Sequence, residues 1–293
     1  MTQGYSGREP FVVRRAIVTA VAVTLGLIIV RASPAPPPSS AVVGSMGRGP
    51  TVVLVHGLGS DANDWLPTAR DLARDHRVVL IELPGHGLTP MSTPFALEQA
   101  TLALDRAIAE QSREPVVLVG HSVGGLVAAT EALHSPNRVR ALVLVETALA
   151  PQMSKAEADT LLAQLDRDWE GTLHAVYSSF GRDSVQGEAL WAEASRMQRE
   201  NMRAWIPVAL NSDLSGEVRS LTMPVLAVLA PRSWEHGEPW VRAARILGYS
   251  RIVNLRGQRI DDCGHFIMLD QPRALAAAIR RFADHADSVY ALR

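Results

Sequence analysis

Short apolar runs alternate with amphipathic stretches along this chain from about residue 50 onward. Six runs rich in β-branched and other apolar residues occupy residues 51–57, 77–85, 115–120, 140–146, 223–231 and 251–257. Because their apolar positions are largely continuous rather than alternating, we predict parallel strands that are covered on both faces. Helical candidates lie between them at residues 65–75, 95–111, 124–134, 239–247 and 271–285. This alternation predicts an α/β fold with a doubly wound, mostly parallel sheet.

The alternation stops between residues 150 and 220. The sequence SKAE at residues 154–157 is typical of a capping box, which opens a helix, and further amphipathic segments follow it without a strand run. We therefore predict a helical cap, formed by residues 150–220. It is inserted into a core that consists of residues 50–149 and 221–293. The tryptophans Trp169, Trp191 and Trp205 lie in this cap.

Composition narrows the function classes only modestly. Apolar residues make up 47% and charged residues 20% of the 293 residues, and the formal net charge is −1, as in an ordinary globular protein. Without a clustered basic excess we expect no nucleic-acid partner. The single cysteine, Cys263, cannot form an intrachain disulfide or a cysteine-based zinc cluster. Since the histidines also lack metal-ligand spacing, we expect neither a metal nor a cofactor.

One serine stands between a predicted strand and a predicted helix, in GHSVG at residues 120–124. The pattern G-x-S-x-G is that of a nucleophile elbow. So sharp a turn crowds the positions two before and two after the serine, and glycine at both removes the Cβ that would clash. Ser122 would then be exposed at the carboxyl edge of the sheet. There the N-terminus of the next helix favours developing negative charge. We predict that Ser122 is a nucleophile.

Two further segments carry candidate chemistry. HGLGS at residues 56–60 follows the first strand run, and the backbone N–H of Leu58 can point into the site beside that of Val123, as an oxyanion hole requires. A phosphate-binding loop would instead need G-x-G-x-x-G or a Walker lysine, and the only lysine, Lys155, lies in the cap. His265 follows the last strand run and precedes the last helix, which is the place of the general base in the chain order nucleophile, acid, base.

From about residue 50 to its C-terminus the chain resembles the α/β-hydrolase family. HGLGS, IELPGHGLTP at residues 81–90, GHSVGG and CGHF occur in the order and at the spacing of that family. The resemblance implies the α/β-hydrolase fold, with Ser122 as nucleophile and His265 as general base. It also implies that the backbone N–H groups of Leu58 and Val123 form the oxyanion hole. Serine at the elbow argues against epoxide and halide chemistry, because the members that perform it have aspartate there.

The resemblance leaves the acid of the triad open. Family members usually carry an aspartate in the loop after the fifth strand run, which here reads PRSWEHGEP and places Ser233 at about that position. Glu235 lies two residues further along the same loop. Glu146 ends the preceding strand run, and this resembles the acid position of dehalogenases and some epoxide hydrolases in the family. We favour Glu146, since a strand end is more rigid than a loop, and keep Glu235 as the alternative.

These residues predict a serine hydrolase that cleaves carboxylic esters through an acyl-enzyme intermediate. A tryptophan-bearing cap favours a small-molecule ester with an apolar acyl or alcohol group. The fold also serves cofactor-free perhydrolases and C–C hydrolases, and these stay open as alternatives. A non-catalytic ligand-binding homologue is a further alternative, which the missing loop aspartate favours.

The first 49 residues differ from the rest. Residues 1–31 combine basic residues with an uncharged apolar run at residues 16–30, and a Pro/Ser-rich linker occupies residues 32–49. This order is typical of an export signal. The run is shorter than the roughly 20 residues that span a bilayer, although residues 11–13 lengthen it. We expect either export or anchoring, with membrane association through residues 11–30 and the catalytic domain outside the cytoplasm.

Overall fold

The computed structural model describes residues 41–91 and 93–290, which contain one seven-stranded sheet of order β1-β3-β2-β4-β5-β6-β7. The strands are β1 (Ala41–Met46), β2 (Thr51–Val55), β3 (Arg77–Glu82), β4 (Val116–His121), β5 (Val139–Val145), β6 (Val225–Leu229) and β7 (Leu255–Arg259). Strand β1 pairs antiparallel with β3, and all the other neighbours are parallel. The predicted α/β class with a mostly parallel sheet is confirmed.

Helices cover both faces of this sheet. They are α1 (Leu66–Leu72), α2 (Leu97–Gln111), α3 (Val123–His134), α4 (Lys155–Arg167), α5 (Trp169–Ser178), α6 (Ser184–Ala194), α7 (Arg199–Asn211), α8 (Trp240–Ile246), α9 (Ile267–Asp270) and α10 (Pro272–Tyr290). Alternate residues of the inner strands enter two separate cores: Val53 and Val55 pack with α2 and α3, whereas Leu54 packs with α1 and α10. Strands buried on both faces therefore have continuous apolar sequences.

Two strands differ from the prediction. Strand β1 lies within residues 32–49, which the sequence predicted to be a linker, so the sheet begins earlier in the chain than expected. Residues 42–46 of this strand are half-buried or exposed, because it is an edge strand with a single neighbour. Strand β7 begins four residues later than the run at residues 251–257, since this opposite edge strand (LRGQR) is largely polar and its apolar neighbours precede it.

Four helices, α4 to α7, occupy the interval between β5 and β6 where the cap was predicted. The capping box at the start of α4 is present: Ser154 Oγ accepts from the Glu157 backbone N–H, and the Glu157 carboxylate accepts from the Ser154 backbone N–H. The cap has a small apolar core of its own. Its buried members are Leu165, Leu173, Tyr177, Ala194, Met202 and Ile206.

The predicted export signal or anchor at residues 1–31 and residues 32–40 of the predicted linker lie outside the described residues. Across residues 41–91 and 93–290, none of the helices combines the length and apolar character that crossing a membrane requires.

Candidate active site

Ser122 lies at the sharp turn between β4 and α3. Its backbone has φ 52° and ψ −122°, a strained conformation for a residue with a side chain, and its N–H donates to the Val145 carbonyl at 3.0 Å. The flanking glycines are required by close contacts. A Cβ on Gly120 would lie 2.4 Å from the Gly124 carbonyl oxygen, and one on Gly124 would lie 2.1 Å from the His56 carbonyl oxygen. The sequence pattern therefore reflects the packing of a nucleophile elbow.

Glu146 and His265 are in direct contact. Glu146 directly follows β5 and has φ 46°; its Oε2 lies 3.1 Å from His265 Nδ1, and its side chain is 1% exposed. The other carboxylate oxygen, Oε1, accepts from the Ala230 backbone N–H at 2.7 Å. A carboxylate held in this way keeps the proton of the neutral imidazole on Nδ1 and leaves Nε2 free to accept one.

The loop after β6 contributes to the same carboxylate through Ser233. Its hydroxyl donates to Glu146 Oε2 at 3.0 Å. Glu235, the alternative acid, is exposed and is not among the residues that line the cavity; its backbone N–H donates to the Glu238 carboxylate at 3.3 Å. The structure thus brings Glu146, and not Glu235, to His265.

The loop that carries His265 is held by three further contacts. The His265 backbone N–H donates to the Phe180 carbonyl at 2.9 Å, and its carbonyl accepts from His121 Nε2 at 3.0 Å. The Phe180 ring stacks on the imidazole, with centroids 4.6 Å apart and planes at 30°. Burial lowers the pKa of His121 well below its ordinary value, so this ring is neutral and carries its proton on Nε2.

The HGLGS segment forms a fixed loop beside the serine. Leu58 and Val123 both line the cavity that contains Ser122. The next amide, that of Gly59, donates to His86 Nε2 at 3.2 Å, and Tyr177 Oη donates to the Leu58 carbonyl at 3.0 Å. The IELPGHGLTP motif therefore contributes His86, which is buried and supports this loop.

One cavity of about 440 Å³ contains all five predicted site residues. Its lining is mostly apolar and comes largely from the cap helices α4, α5 and α7. The apolar cap members are Ala150, Met153, Leu161, Leu165, Leu173, Val176, Tyr177, Phe180, Met202, Ile206, Ala209 and Leu210. The cap tryptophans are not part of this lining: Trp205 is fully buried against Phe95, and Arg199 lies over Trp169 at 4.7 Å. The apolar pocket is thus lined by aliphatic residues together with the rings of Tyr177, Phe180 and Phe266, and not by tryptophan.

Among the described residues, no group of three or more His, Cys, Asp or Glu side chains is arranged to bind a metal ion. Cys263 is half-buried and its Sγ donates to the Ile260 carbonyl at 3.0 Å. Burial, with smaller contributions from nearby carboxylates, raises the pKa of this thiol to about 12 and keeps it protonated.

Sequence reasoning missed the cap residues Tyr177 and Phe180, although both contact the site. The signal for them lay in glycines beside the motif residues. A Cβ on Gly59 would lie 2.4 Å from Tyr177 Oη, and one on Gly264 would lie 2.5 Å from the Phe180 carbonyl oxygen. A glycine next to a predicted site residue indicates that another segment passes close by, but it does not identify that segment.

Comparisons with known proteins identify esterases that are similar to this chain in sequence or in fold. The pimeloyl-[acyl-carrier protein] methyl ester esterase of Nitrosospira multiformis is 28% identical over 267 residues, covering 83% of this chain and 98% of that protein. The enzyme of the same name from Methylococcus capsulatus is 31% identical over 255 residues, covering 80% and 95%. Among solved structures, an esterase from Exiguobacterium antarcticum superimposes with a TM-score of 0.71 at 18% identity, covering 85% of this chain and all of that one.

The sequence pattern of the alpha/beta hydrolase family matches residues 52–278, which include every segment that builds the site. The resemblance inferred from HGLGS, GHSVGG and CGHF is therefore confirmed. This chain belongs to the alpha/beta hydrolase family.

Proposed function

We propose that this protein is a serine hydrolase that cleaves carboxylic esters. The observation that carries the proposal is the contact of Glu146 with His265, within the cavity that also contains Ser122 on its elbow. Relatives named as methyl ester esterases, aligned over most of their length, support the same reaction class.

The reaction proceeds in two steps. Ser122 Oγ attacks the ester carbonyl carbon while His265 Nε2 takes its proton, and the resulting oxyanion accepts from the N–H groups of Leu58 and Val123. When the tetrahedral intermediate collapses, the C–O bond to the alcohol breaks and His265 returns the proton to the leaving oxygen. Water, deprotonated by His265, then attacks the acyl carbon, the C–O bond to Ser122 Oγ breaks, and His265 returns the proton to Ser122 Oγ as the acid is released.

Glu146 acts on the imidazole of His265. Its carboxylate orients the ring through Nδ1 and stabilises the imidazolium that forms in each step. The Ala230 amide and the Ser233 hydroxyl hold this carboxylate in place by donating to its two oxygens. Because Glu146 is buried and paired in this way, it needs no rearrangement during the reaction.

The cavity supports an ester with an apolar acyl or alcohol group. Its volume of about 440 Å³ lies in the range of small-molecule sites, and its wall is mostly apolar, with many aliphatic residues from the cap. The two relatives are named for the methyl ester of pimeloyl-[acyl-carrier protein]. For this chain we propose a substrate whose cleaved bond is a carboxylic ester and whose acyl group is longer than acetyl.

The non-catalytic alternative depended on the absent loop aspartate. Glu146 in contact with His265 removes that argument, because an acid is present at the imidazole. No feature of the described residues favours perhydrolase or C–C hydrolase chemistry over ester hydrolysis.

The test is hydrolysis of p-nitrophenyl esters from acetate to decanoate by the wild type and by Ser122→Ala. We expect turnover that increases beyond acetate and is lost in the variant. Folded wild-type protein without turnover on any chain length would contradict the proposal.

We further propose, on the sequence of residues 1–31 alone, that the protein is exported or anchored at a membrane. Fractionation of cells expressing the full chain and a chain lacking residues 1–31 tests this. Equal distribution of the two proteins would contradict it.

A further inference from the structure

One short segment of the cap contacts both halves of the site. It comprises residues 177–182, at the end of α5 and in the turn that follows. We propose that this segment, here called the brace, positions the oxyanion-hole loop and the general base together, so that the cap is a fixed part of the catalytic apparatus. The inference rests on the proposed esterase function.

The first contact of the brace is with the oxyanion-hole loop. Tyr177 is 3% exposed and its Oη donates to the Leu58 carbonyl at 3.0 Å. The carbonyl and the amide of Leu58 flank the same Cα, so a hydrogen bond to one restrains the direction of the other. Burial raises the pKa of the Tyr177 hydroxyl well above its ordinary value, which keeps it a donor at every working pH. The absence of a Cβ at Gly59 lets the tyrosine approach.

The second contact is with the general base. The Phe180 carbonyl accepts from the His265 backbone N–H at 2.9 Å, and its ring stacks on the imidazole. Arg232 lies over the Phe180 ring at 5.0 Å and donates to the Ser179 carbonyl at 3.1 Å. The backbone and the ring of His265 therefore both depend on where the brace lies.

A buried carboxylate connects the brace to the loop that carries His265. Asp270 lies at the end of α9 and its side chain is 1% exposed; its Oδ2 accepts from the Gly264 backbone N–H at 2.9 Å. Its Oδ1 accepts from Gln186 Nε2 on α6 at 2.6 Å and lies 3.3 Å from Arg182 Nη1. Burying a carboxylate is unfavourable unless its oxygens are paired, so these partners are held together.

The two contacts move together because Tyr177 and Phe180 are three residues apart and their rings meet edge to face at 5.6 Å. A displacement of the brace would misdirect an oxyanion donor and the imidazole at once. Both groups act on the transition state more than on the bound ester. We therefore expect losses in kcat and in affinity for tetrahedral, anionic inhibitors, with KM little changed.

The experiment compares the wild type with Tyr177→Phe and Asp270→Asn. The first removes one hydroxyl from the brace, and the second keeps the shape of the side chain while removing its charge. We measure kcat and KM for a p-nitrophenyl ester, the inhibition constant of an alkyl boronic acid that forms a tetrahedral adduct on Ser122, and Tm. For both variants we expect kcat and boronic acid affinity to fall about 10-fold while KM changes less than about 2-fold.

Arg203→Gln is the matched control. It removes an exposed ion pair with Asp166 that joins α7 to α4 within the cap and does not involve the brace. Its kcat and inhibition constant are expected to equal those of the wild type. A loss of equal size in this control would mean that general loosening of the cap is responsible, and would overturn the proposal.

The outcomes separate the two proposals. A folded wild type that neither hydrolyses the ester nor binds the boronic acid contradicts the esterase function. An active wild type with kcat and boronic acid affinity unchanged in both variants, or with an effect on KM alone, overturns the brace. If Tyr177→Phe does not fold, Asp270→Asn decides by the same criteria.

Discussion

Ser233 donates a hydrogen bond of 3.0 Å to Glu146 Oε2, the same oxygen that lies 3.1 Å from His265 Nδ1. A residue from the loop after β6 and a residue from the end of β5 therefore meet at the imidazole. In the proposed mechanism this loop supplies a donor at the place where members of the family usually have the acid, and the strand end supplies the acid. We propose that Glu146 in this arrangement replaces the loop aspartate.

Glu146→Gln is expected to lower kcat by about 10³-fold or more, because the amide cannot stabilise the imidazolium or enforce its tautomer. Steady-state hydrolysis of a p-nitrophenyl ester measures the loss. Glu235→Gln is the control and should retain wild-type activity, since Glu235 is exposed. The opposite ranking of the two variants would assign the acid to Glu235.

Ser233→Asp should partly restore activity in the Glu146→Gln background. The Ser233 hydroxyl lies beside the Glu146 carboxylate, so an aspartate there can reach His265 Nδ1. We expect a gain of at least about 10-fold over Glu146→Gln alone, as fits a recovered charge partner. Ser233→Asn in the same background lacks the charge and should give no gain. Equal rates for the two double variants would show that the loop cannot present an acid to the imidazole.

Gly124→Ala should destabilise the fold strongly, because the new Cβ would lie 2.1 Å from the His56 carbonyl oxygen. The His56 backbone cannot move aside without disrupting the elbow. We therefore expect the free energy of unfolding to fall by about 2 kcal/mol or more. Gly216→Ala is the matched control, since no atom lies within 4 Å of the Cβ it would add. Thermal unfolding of both variants checks this, and a Gly124→Ala protein with wild-type Tm would contradict the geometry.

The local part of this structure could be predicted from the sequence. Continuous apolar runs identified strands β2 to β6, and the glycines around Ser122 identified the elbow, because both depend on neighbouring residues alone; the sixth run overlaps β7 only in part. Strand β1 was missed because its half-exposed, edge-strand residues form no apolar run. Contacts between segments that are distant in the chain could not be predicted from the sequence either. Tyr177 and Leu58 are 119 residues apart, and only the folded chain shows that the cap contacts the loop of residues 56–60.

The choice between Glu146 and Glu235 illustrates the same limit. The strand end favoured Glu146 through a general argument about rigidity, but the deciding facts are contacts made across the sheet. The backbone N–H of Ala230, the residue directly after β6, donates to Glu146 Oε1. Strand β6 lies next to β5 in the sheet. Strand order therefore determines which carboxylate is held at the imidazole.

Stability is expected to depend on pH through a cap carboxyl at the core interface. Burial, followed by the nearby Asp64 and Asp61 carboxylates, raises the pKa of Glu193 to about 8 from 4.5. The folded state then binds more protons than the unfolded state between these values, so this group's stabilising contribution falls as pH rises from about 4.5 to about 8. Asp64, whose pKa burial raises to about 6, acts in the same direction.

Glu193→Gln should accordingly have a higher Tm than the wild type at pH 9 and nearly the same Tm at pH 5. Thermal unfolding at both values measures this, with Glu110→Gln, exposed on α2, as the control. A difference between Glu193→Gln and the wild type that is independent of pH would mean that the carboxyl does not titrate in this window.

Fluorophosphonate labelling followed by intact mass measurement tests whether Ser122 is a nucleophile that His265 and Glu146 activate. We expect one adduct on the wild type, located on the peptide that contains residues 120–124, none on Ser122→Ala, and much slower labelling of His265→Gln. No adduct on folded wild-type protein, or an adduct that persists in Ser122→Ala, would contradict this role of Ser122.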